Sequence, residues 1–393
     1  MASRSYGITD FQDIAIGAAV LASGGGGSYA DAMRIVDELR ASGWSGEVPV
    51  ADYDGTTPAC VLALMGSPDA AQGLSLRTIE LSVANTLEAL RRSTGTVPGC
   101  AIPVEIGPIN SLVPLIACLR PGGPVAWVVD GDGAGRAVPE LPQTTFAGEP
   151  RLPAAPAVLA DDALAGSQSA RLDAPGAARV EALAGGILNA FGSYAGIALW
   201  LSDARNDFAL RGAYLPGTLE QTRALGRYLR AAPIPPSADE VAACITRLSG
   251  RQARAVLQRV YVTGVRQTTT GASLDTGLIE LSEHPRPAAG APRHTVYNLN
   301  ENLILYSSAS SAPGAVAPDS ICYYSEATGR GFSNATDDLS PYYDFAAACS
   351  TGVPISVIHV AAAEALTDTP GVCESFAALL RDLGYAGALP RGC

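Results

Sequence analysis

Lysine is absent from all 393 residues, and the 26 basic residues are all arginine. Mechanisms that need a primary amine are therefore excluded: no Schiff base to a substrate carbonyl or to pyridoxal phosphate, and no P-loop lysine on a nucleotide's phosphates. Histidine is scarce, at His284, His294 and His359, and neither HExxH nor HxH occurs. No two of the eight cysteines stand in CxxC spacing, so local zinc motifs are missing. A metal held by ligands from distant segments stays open. Eight cysteines are too few for a disulfide scaffold in so long a chain, which makes reduced thiols in a cytoplasmic protein the expectation. The 38 acidic residues leave a net charge of -12, the wrong sign for a nucleic-acid partner. No apolar run reaches the ~20 residues of a membrane span. The apolar stretch 14–22 follows Asp10 and Asp13 rather than the basic region of a signal peptide.

What the chain does have is core material. Hydrophobic residues make up 48% against 16% charged, which excludes disorder, and the length suits two or three domains. Thr9 and Gln12 read as a capping box for an apolar helix over 10–21. Ser23, four glycines and Ser28 end it, and a second helix follows over 30–40. Strand patterns at 48–53, 60–65, 101–106 and 125–129 alternate with helical ones at 74–92 and 111–119. That order predicts a layered α/β domain with parallel strands. An Ala- and Pro-rich stretch, 150–173, marks the boundary, giving an α/β domain over 1–165 and an α+β domain over 166–393. In the second, helices at 180–190, 219–231, 238–250 and 373–383 surround strands at 195–201, 260–266, 276–281, 295–306 and 355–360, and a small β-barrel is expected.

The densest polar segment, Asp130-Gly-Asp132-Gly-Ala-Gly-Arg136-Ala-Val-Pro-Glu140, follows a buried strand directly. Ligands of open α/β sheets sit beyond the carboxyl ends of strands, so catalytic groups are expected here. Its carboxylates supply acceptors and a proton donor, and Arg136 supplies a planar cationic fork. A plain Gly-Asp turn is the competing reading. An EF-hand fails, because its closing Glu would fall on Leu141. Glu105 ends the neighbouring strand pattern, and paired carboxylates on one rim separate an acid from a base. Asn110 or Ser111 reads as a helix cap. Gly24, Gly25, Gly26 and Gly27 follow a helix and lack GxGxxG spacing, so no dinucleotide is expected; their N–H groups suit an anion or carbonyl oxygen. In Asn298-Leu-Asn300-Glu301-Asn302, alternation puts the three asparagines on one face and Glu301 on the other. Singly, these read as polar residues of the surface, and His294, His359, Cys322 and Cys349 as structural. No GxSxG elbow is present.

Together, residues 13–21 running into Gly24–Gly27, Glu105-Ile-Gly with Asn110-Ser111, and the string 130–141 resemble the S-methyl thiohydantoin desulfurase-like proteins, which are often associated with hydantoinases and oxoprolinases. Asn300-Glu301 and Pro318-Asp319 resemble landmarks of that family's second domain. Ser23, Pro108 and Val138 depart from its usual Thr, Gly and aromatic. The resemblance implies an N-terminal α/β domain, a C-terminal domain with a β-barrel, and hydrolytic desulfuration of a five-membered cyclic thioamide. The substrate would be a thiohydantoin, with a propionate arm in ergothioneine degradation, and sulfide would leave. On that reading Asp132 or Glu105 activates water, Glu140 donates a proton and Arg136 holds a carboxylate or thiolate. Gly24–Gly27, Asn110, Asp130, Asn300 and Glu301 bind substrate, and the chain is a homo-oligomer. The rivals are ring-opening hydrolysis of a hydantoin or cyclic imide, a covalent cysteine route, and a non-catalytic partner subunit of a hydantoinase-type enzyme.

Overall fold

The computed structural model of the chain describes residues 3–66, 73–120, 122–270 and 274–393. Its first half builds an eight-stranded sheet from β1 (Arg4–Tyr6), β2 (Val48–Ala51), β3 (Ala59–Met65), β4 (Cys100–Pro103), β5 (Trp127–Val129), β6 (Ala157–Ala160), β7 (Ser169–Leu172) and β8 (Ala195–Ser202). The order is β1-β2-β5-β4-β3-β8-β6-β7. The central strands β2, β5, β4 and β3 run parallel, as the strand–helix alternation requires. Being buried on both faces, β3 and β4 read as unbroken apolar runs rather than alternating ones. Strands β8, β6 and β7 extend the sheet in antiparallel fashion beyond β3. The sheet thus continues past residue 165 to Ser202 and takes up the strand expected in the second half.

Helix α1 (Ile8–Leu21) is apolar nearly all round and buried from Asp13 to Leu21. Its cap differs from the expected Thr9–Gln12 box. Gly7 is the N-cap, and the Asp10 carboxylate accepts the Gly7 N–H at 2.9 Å, close to the positive end of the helix dipole. Helices α2 (Tyr29–Ala41), α3 (Leu76–Thr94) and the short α4 (Val113–Ala117) complete the first layers. Then follow α5 (Ala177–Ile187), α6 (Thr218–Ala231), α7 (Ala238–Ser249) and the late α8 (Val372–Asp382).

The second sheet holds seven strands: β9 (Ala253–Thr270), β10 (Leu274–Ser282), β11 (His294–Leu299), β12 (Glu301–Ser307), β13 (Ala315–Val316), β14 (Ser320–Tyr324) and β15 (Ile355–Val360). All pairings are antiparallel, in the order β13-β12-β11-β10-β9-β15-β14. The long β9 turns from β15 to β10 through bulges, which bend the sheet. The sheet curls back on itself where Asn302 Nδ2 of β12 donates to Ile321 O of the edge strand β14 at 2.8 Å, closing it nearly to a barrel. The α/β-plus-barrel class is therefore present in this fold. One pattern was misread. The stretch 295–306 is not one strand but β11 and β12, joined by a turn at Asn300, whose φ is +57°. Asn298 pairs across with Asn302 and Glu301 with Leu299, so the alternation that grouped three asparagines does not apply.

Cysteine is the second correction. Cys373 and Cys393 form a disulfide with Cα atoms 5.4 Å apart, tying the chain end to the start of α8. The spacing carries no motif; the bridge arises because the last residues fold back over α8. The other six cysteines are free thiols. Among the described residues, no helix is long and apolar enough to cross a membrane.

Candidate active site

The loops leaving the carboxyl ends of β3, β4 and β5 surround a cavity of about 100 Å³, far more than the ~10–15 Å³ one water needs. The glycine loop after α1, the Asn300–Glu301 turn and α5 close its other sides. Five carboxyls border it: Asp31, Glu105, Glu140, Glu181 and Glu301. Among the described residues no cysteine or basic side chain does so. Nor do the described residues hold a group of three His, Cys, Asp or Glu placed to ligate a metal.

Glu105 is fixed from both sides. Asn110 Nδ2 donates to its Oε1 at 2.7 Å, and the Val138 N–H donates to its Oε2 at 2.6 Å. Asn110 is itself held by the Leu64 N–H, 3.0 Å from its Oδ1. Neither Asn110 nor Ser111 caps a helix, contrary to the sequence reading. The N-cap of α4 is Leu112, and the Ser111 hydroxyl accepts the Gly107 N–H inside its own turn at 3.1 Å. These side chains latch the loop across the strand ends instead. Burial pushes the Glu105 carboxyl up to about 7, opposed by its two hydrogen bonds and by Arg136, and assisted by the charge of Asp132.

Glu301 is buried beside it, and its Oε2 has no hydrogen-bond partner. Burial, followed by the charge of Glu105, holds its proton far above the usual carboxyl range, with Arg136 opposing. The glycine loop makes this packing feasible. Gly25 lies directly against the Glu301 carboxyl, and a Cβ on Gly26 would come within 2.4 Å of Gly107 Cα. Gly26 O accepts the Ile109 N–H at 3.0 Å, joining the glycine loop to the Glu105 loop. The Gly25 N–H donates to Ala22 O at 3.2 Å and the Gly26 N–H to Glu301, so both are engaged within the protein.

The segment 130–140 divides between scaffold and cavity. Asp130 takes Arg4 Nη1 at 2.8 Å and the Glu220 N–H at 3.0 Å. Asp132 accepts the N–H groups of Ala134 and Gly135 at 2.9 and 2.8 Å; burial pushes its carboxyl up to about 6, against those bonds and one from Thr218. Arg136 is completely buried, and its guanidinium donates to the carbonyls of Ala137, Pro318, Asp319 and Asn302 at 2.7–3.1 Å. Its fork is thus occupied by backbone and joins the first half of the chain to the barrel. Of this segment, Val138, Pro139 and Glu140 border the cavity, as does Leu141 after it, and burial followed by Asp382 raises the Glu140 carboxyl.

The cavity therefore gathers Glu105, Glu140, Gly26, Gly27, Asn110, Asn300 and Glu301. Gly24, Gly25, Asp130, Asp132 and Arg136 stand behind its walls. Sequence reasoning missed Asp31 and Glu181. Asp31, in the first turn of α2, pairs with Arg34 Nη2 at 2.6 Å and resembles any helix-start acid. Glu181 accepts the Leu141 N–H at 3.1 Å through Oε2, and burial pushes it up to about 7, with Glu140 and Glu105 adding. Its only signal is a single acid in an otherwise Ala-rich helix.

Comparison with known proteins gives two family matches: the S-Me-THD-like N-terminal domain over residues 9–166 and the S-Me-THD-like C-terminal domain over 176–373. No curated protein matches. A crystal structure of a protein from Chromobacterium violaceum is similar at 26% identity and a TM-score of 0.78, covering 98% of this chain and 99% of that one. With both domains matched in order across nearly its whole length, the chain belongs to the S-Me-THD-like family, the S-methyl thiohydantoin desulfurase-like proteins.

Proposed function

We propose that this chain is an enzyme that hydrolyses the C=S bond of a five-membered cyclic thioamide, a thiohydantoin, releasing sulfide and leaving the hydantoin. The observation that carries the reading is the Glu105–Glu301 pair facing one small cavity. One carboxyl is oriented on both oxygens with its proton affinity near neutrality. The other is held well above the ordinary carboxyl range by burial and has an oxygen without a partner. Two carboxyls whose environments separate their proton affinities divide the roles of base and acid.

In this mechanism Glu105 takes a proton from water as the water oxygen bonds to the thiocarbonyl carbon, and the C=S electron pair moves to sulfur. Glu301 then protonates the sulfur as the C–S bond breaks and hydrosulfide leaves. The added hydroxyl becomes the new carbonyl by returning its proton to Glu301, and Glu105 loses its proton to solvent. The sum is thioamide plus water to hydantoin, hydrosulfide and a proton. Asn110 positions Glu105 rather than touching substrate through a reacting atom. Asp132 and Arg136, first candidates from sequence, support the loop and the domain junction in this scheme. Glu140 is left as a polar wall of the cavity.

The test is sulfide release and loss of C=S absorbance from 5-substituted 2-thiohydantoins with the purified chain. Turnover that falls at least ~100-fold in Glu105→Gln and in Glu301→Gln is the expected result. A ring-opened product with sulfur retained would replace desulfuration by ring hydrolysis. Binding without any turnover would leave a partner subunit in its place.

A further inference from the structure

The glycine loop and the turn that carries Glu301 come from opposite halves of the chain, and one residue of a third segment bonds to both. Asn334, 2% exposed, gives its backbone N–H to Gly24 O at 2.8 Å. Its side-chain Nδ2 donates to Asn300 O at 2.7 Å and to Asn302 Oδ1 at 2.9 Å. Gly24 and Asn300 immediately precede Gly25 and Glu301, the two residues packed against each other. The carbonyls that Asn334 holds therefore belong to the peptide units leading into that contact. Asn300 has left-handed backbone, with φ +57°, which a residue bearing a side chain keeps where its surroundings fix it. Asn334 is anchored in turn. Gln267 Nε2 donates to its carbonyl at 2.8 Å, and four residues on Asp338 accepts the N–H groups of Ser333, Tyr29 and Ala30 at 2.8–3.0 Å. The segment 333–338 thus grips the glycine loop before Gly25 through Asn334 and after Gly27 through Asp338. A Cβ on Gly24 would come within 2.6 Å of Asn334 Nδ2, which leaves no slack between them.

Resting on the assignment of Glu301 as the acid, we propose that Asn334 is a positioning residue of the site. It sets the Asn300–Glu301 turn against the glycine loop, so that the Glu301 carboxyl is presented in one orientation. Asn334 stands behind the cavity wall rather than on it, and so acts through Glu301 without touching substrate. The position calls for an amide rather than for any side chain of that size. Both partners of Nδ2 are oxygens, so a donor is needed, while Asn334 Oδ1 has no hydrogen-bond partner. The amide is kept for its N–H groups, at the desolvation cost of a buried unpaired acceptor. A side chain that only filled this space would not carry that cost. Removing the side chain leaves the bond to Gly24, which the backbone makes, and frees the Asn300 carbonyl. The effect therefore falls on the turn that carries Glu301, and through it on the chemical step.

The test is a double-mutant cycle on kcat for sulfide release from a 5-substituted 2-thiohydantoin. Asn334→Ala should lower kcat about tenfold with KM little changed. In the Glu301→Gln background the same substitution should cost less than about twofold, because the group it positions is gone. An equal loss in both backgrounds, or a change confined to KM, overturns the proposal. Asn334→Ser keeps one donor on a shorter arm and should fall between the parent and the alanine variant. It carries the same cycle if Asn334→Ala does not fold. Hydrogen exchange of the substrate-free chain reads the positioning without chemistry. In either variant, peptides covering 23–28 and 299–303 should exchange faster while β14 and β15 keep their protection. Unchanged exchange in those two segments, or a rise throughout the barrel, overturns it. If the parent releases no sulfide from any thiohydantoin, the desulfuration reading fails on its own, and the exchange result still decides the role of Asn334.

Discussion

A methyl group added to Gly25 would lie 1.8 Å from Oε1 of Glu301, so the glycine and the carboxyl share a space that only a hydrogen allows. The relation explains one glycine of the four by contact rather than by flexibility. Gly25→Ala must displace the Glu301 carboxyl. The expected result is loss of most sulfide release with a stability cost of about 1–3 kcal/mol, measured by activity and by thermal melting of the same sample. Retention of full turnover would remove Glu301 from the chemistry.

The pH dependence follows from Glu105. As a base it must be deprotonated, so kcat/KM should rise with pH through about 7, where burial has pushed this carboxyl. Stability runs the other way. The folded form holds its proton above the ordinary value of 4.5, so the group's contribution is fully present below that value and declines as pH rises toward about 7. The decline is at most roughly 3 kcal/mol for this carboxyl. Glu105→Gln should flatten that slope in melts between these values. It should also lower stability at acid pH, because the Gln amide cannot accept from both Asn110 and Val138. An unchanged slope would contradict the assignment.

Arg136 makes a structural prediction. Removing its guanidinium leaves the carbonyls of Ala137, Asn302, Pro318 and Asp319 buried without donors. Arg136→Ala should destabilise by about 3–5 kcal/mol or fail to fold. Arg136→Lys should recover little, since an ammonium lacks the planar fork. A variant that melts like the parent and only raises KM would return Arg136 to the substrate.

The Cys373–Cys393 bridge closes a short loop at the chain end. Opening it should cost up to about 3 kcal/mol, read as a lower melting temperature with reductant or in Cys373→Ser. Thiol titration of the unfolded, unreduced protein should count six free groups. Eight would refute the bridge.

Much of this was legible in the sequence because it is local. The buried parallel strands announced themselves as apolar runs, and the strand ends identified Glu105 and the 130–140 loop as a rim. Which loop side chains face inward was not legible. Asp132 and Arg136 look more catalytic than Glu140, yet Asp132 turns back onto the N–H groups of Ala134 and Gly135 in its own loop, and Arg136 finds carbonyls distant in sequence. Arg136 reaches residues about 180 positions away. Asn300 was misjudged because its one-residue turn uses neither Gly nor Pro, and the polar run 298–302 around it fits an alternating strand as well as a turn. Asp31 and Glu181 were missed because a helix-start acid and a lone acid on an Ala-rich helix carry no motif.

Asn110 offers the sharpest separation of positioning from chemistry. It bridges Leu64 and Glu105 and has no proton to exchange with substrate. Its donation favours the ionised form of Glu105, so Asn110→Ala should raise that carboxyl further and move the acid limb of the kcat/KM profile above its parent position near 7. The Leu64 N–H would lose its acceptor, costing about 1–3 kcal/mol of stability. The pH limb is the decisive measurement, because a purely structural role would lower activity at every pH without moving it. Asn110→Asp should not rescue. Its added carboxylate would face Glu105 where a donor is needed, raising both proton affinities and carrying the limb further still. A limb fixed in place in both variants would mean that Glu105 is not the base.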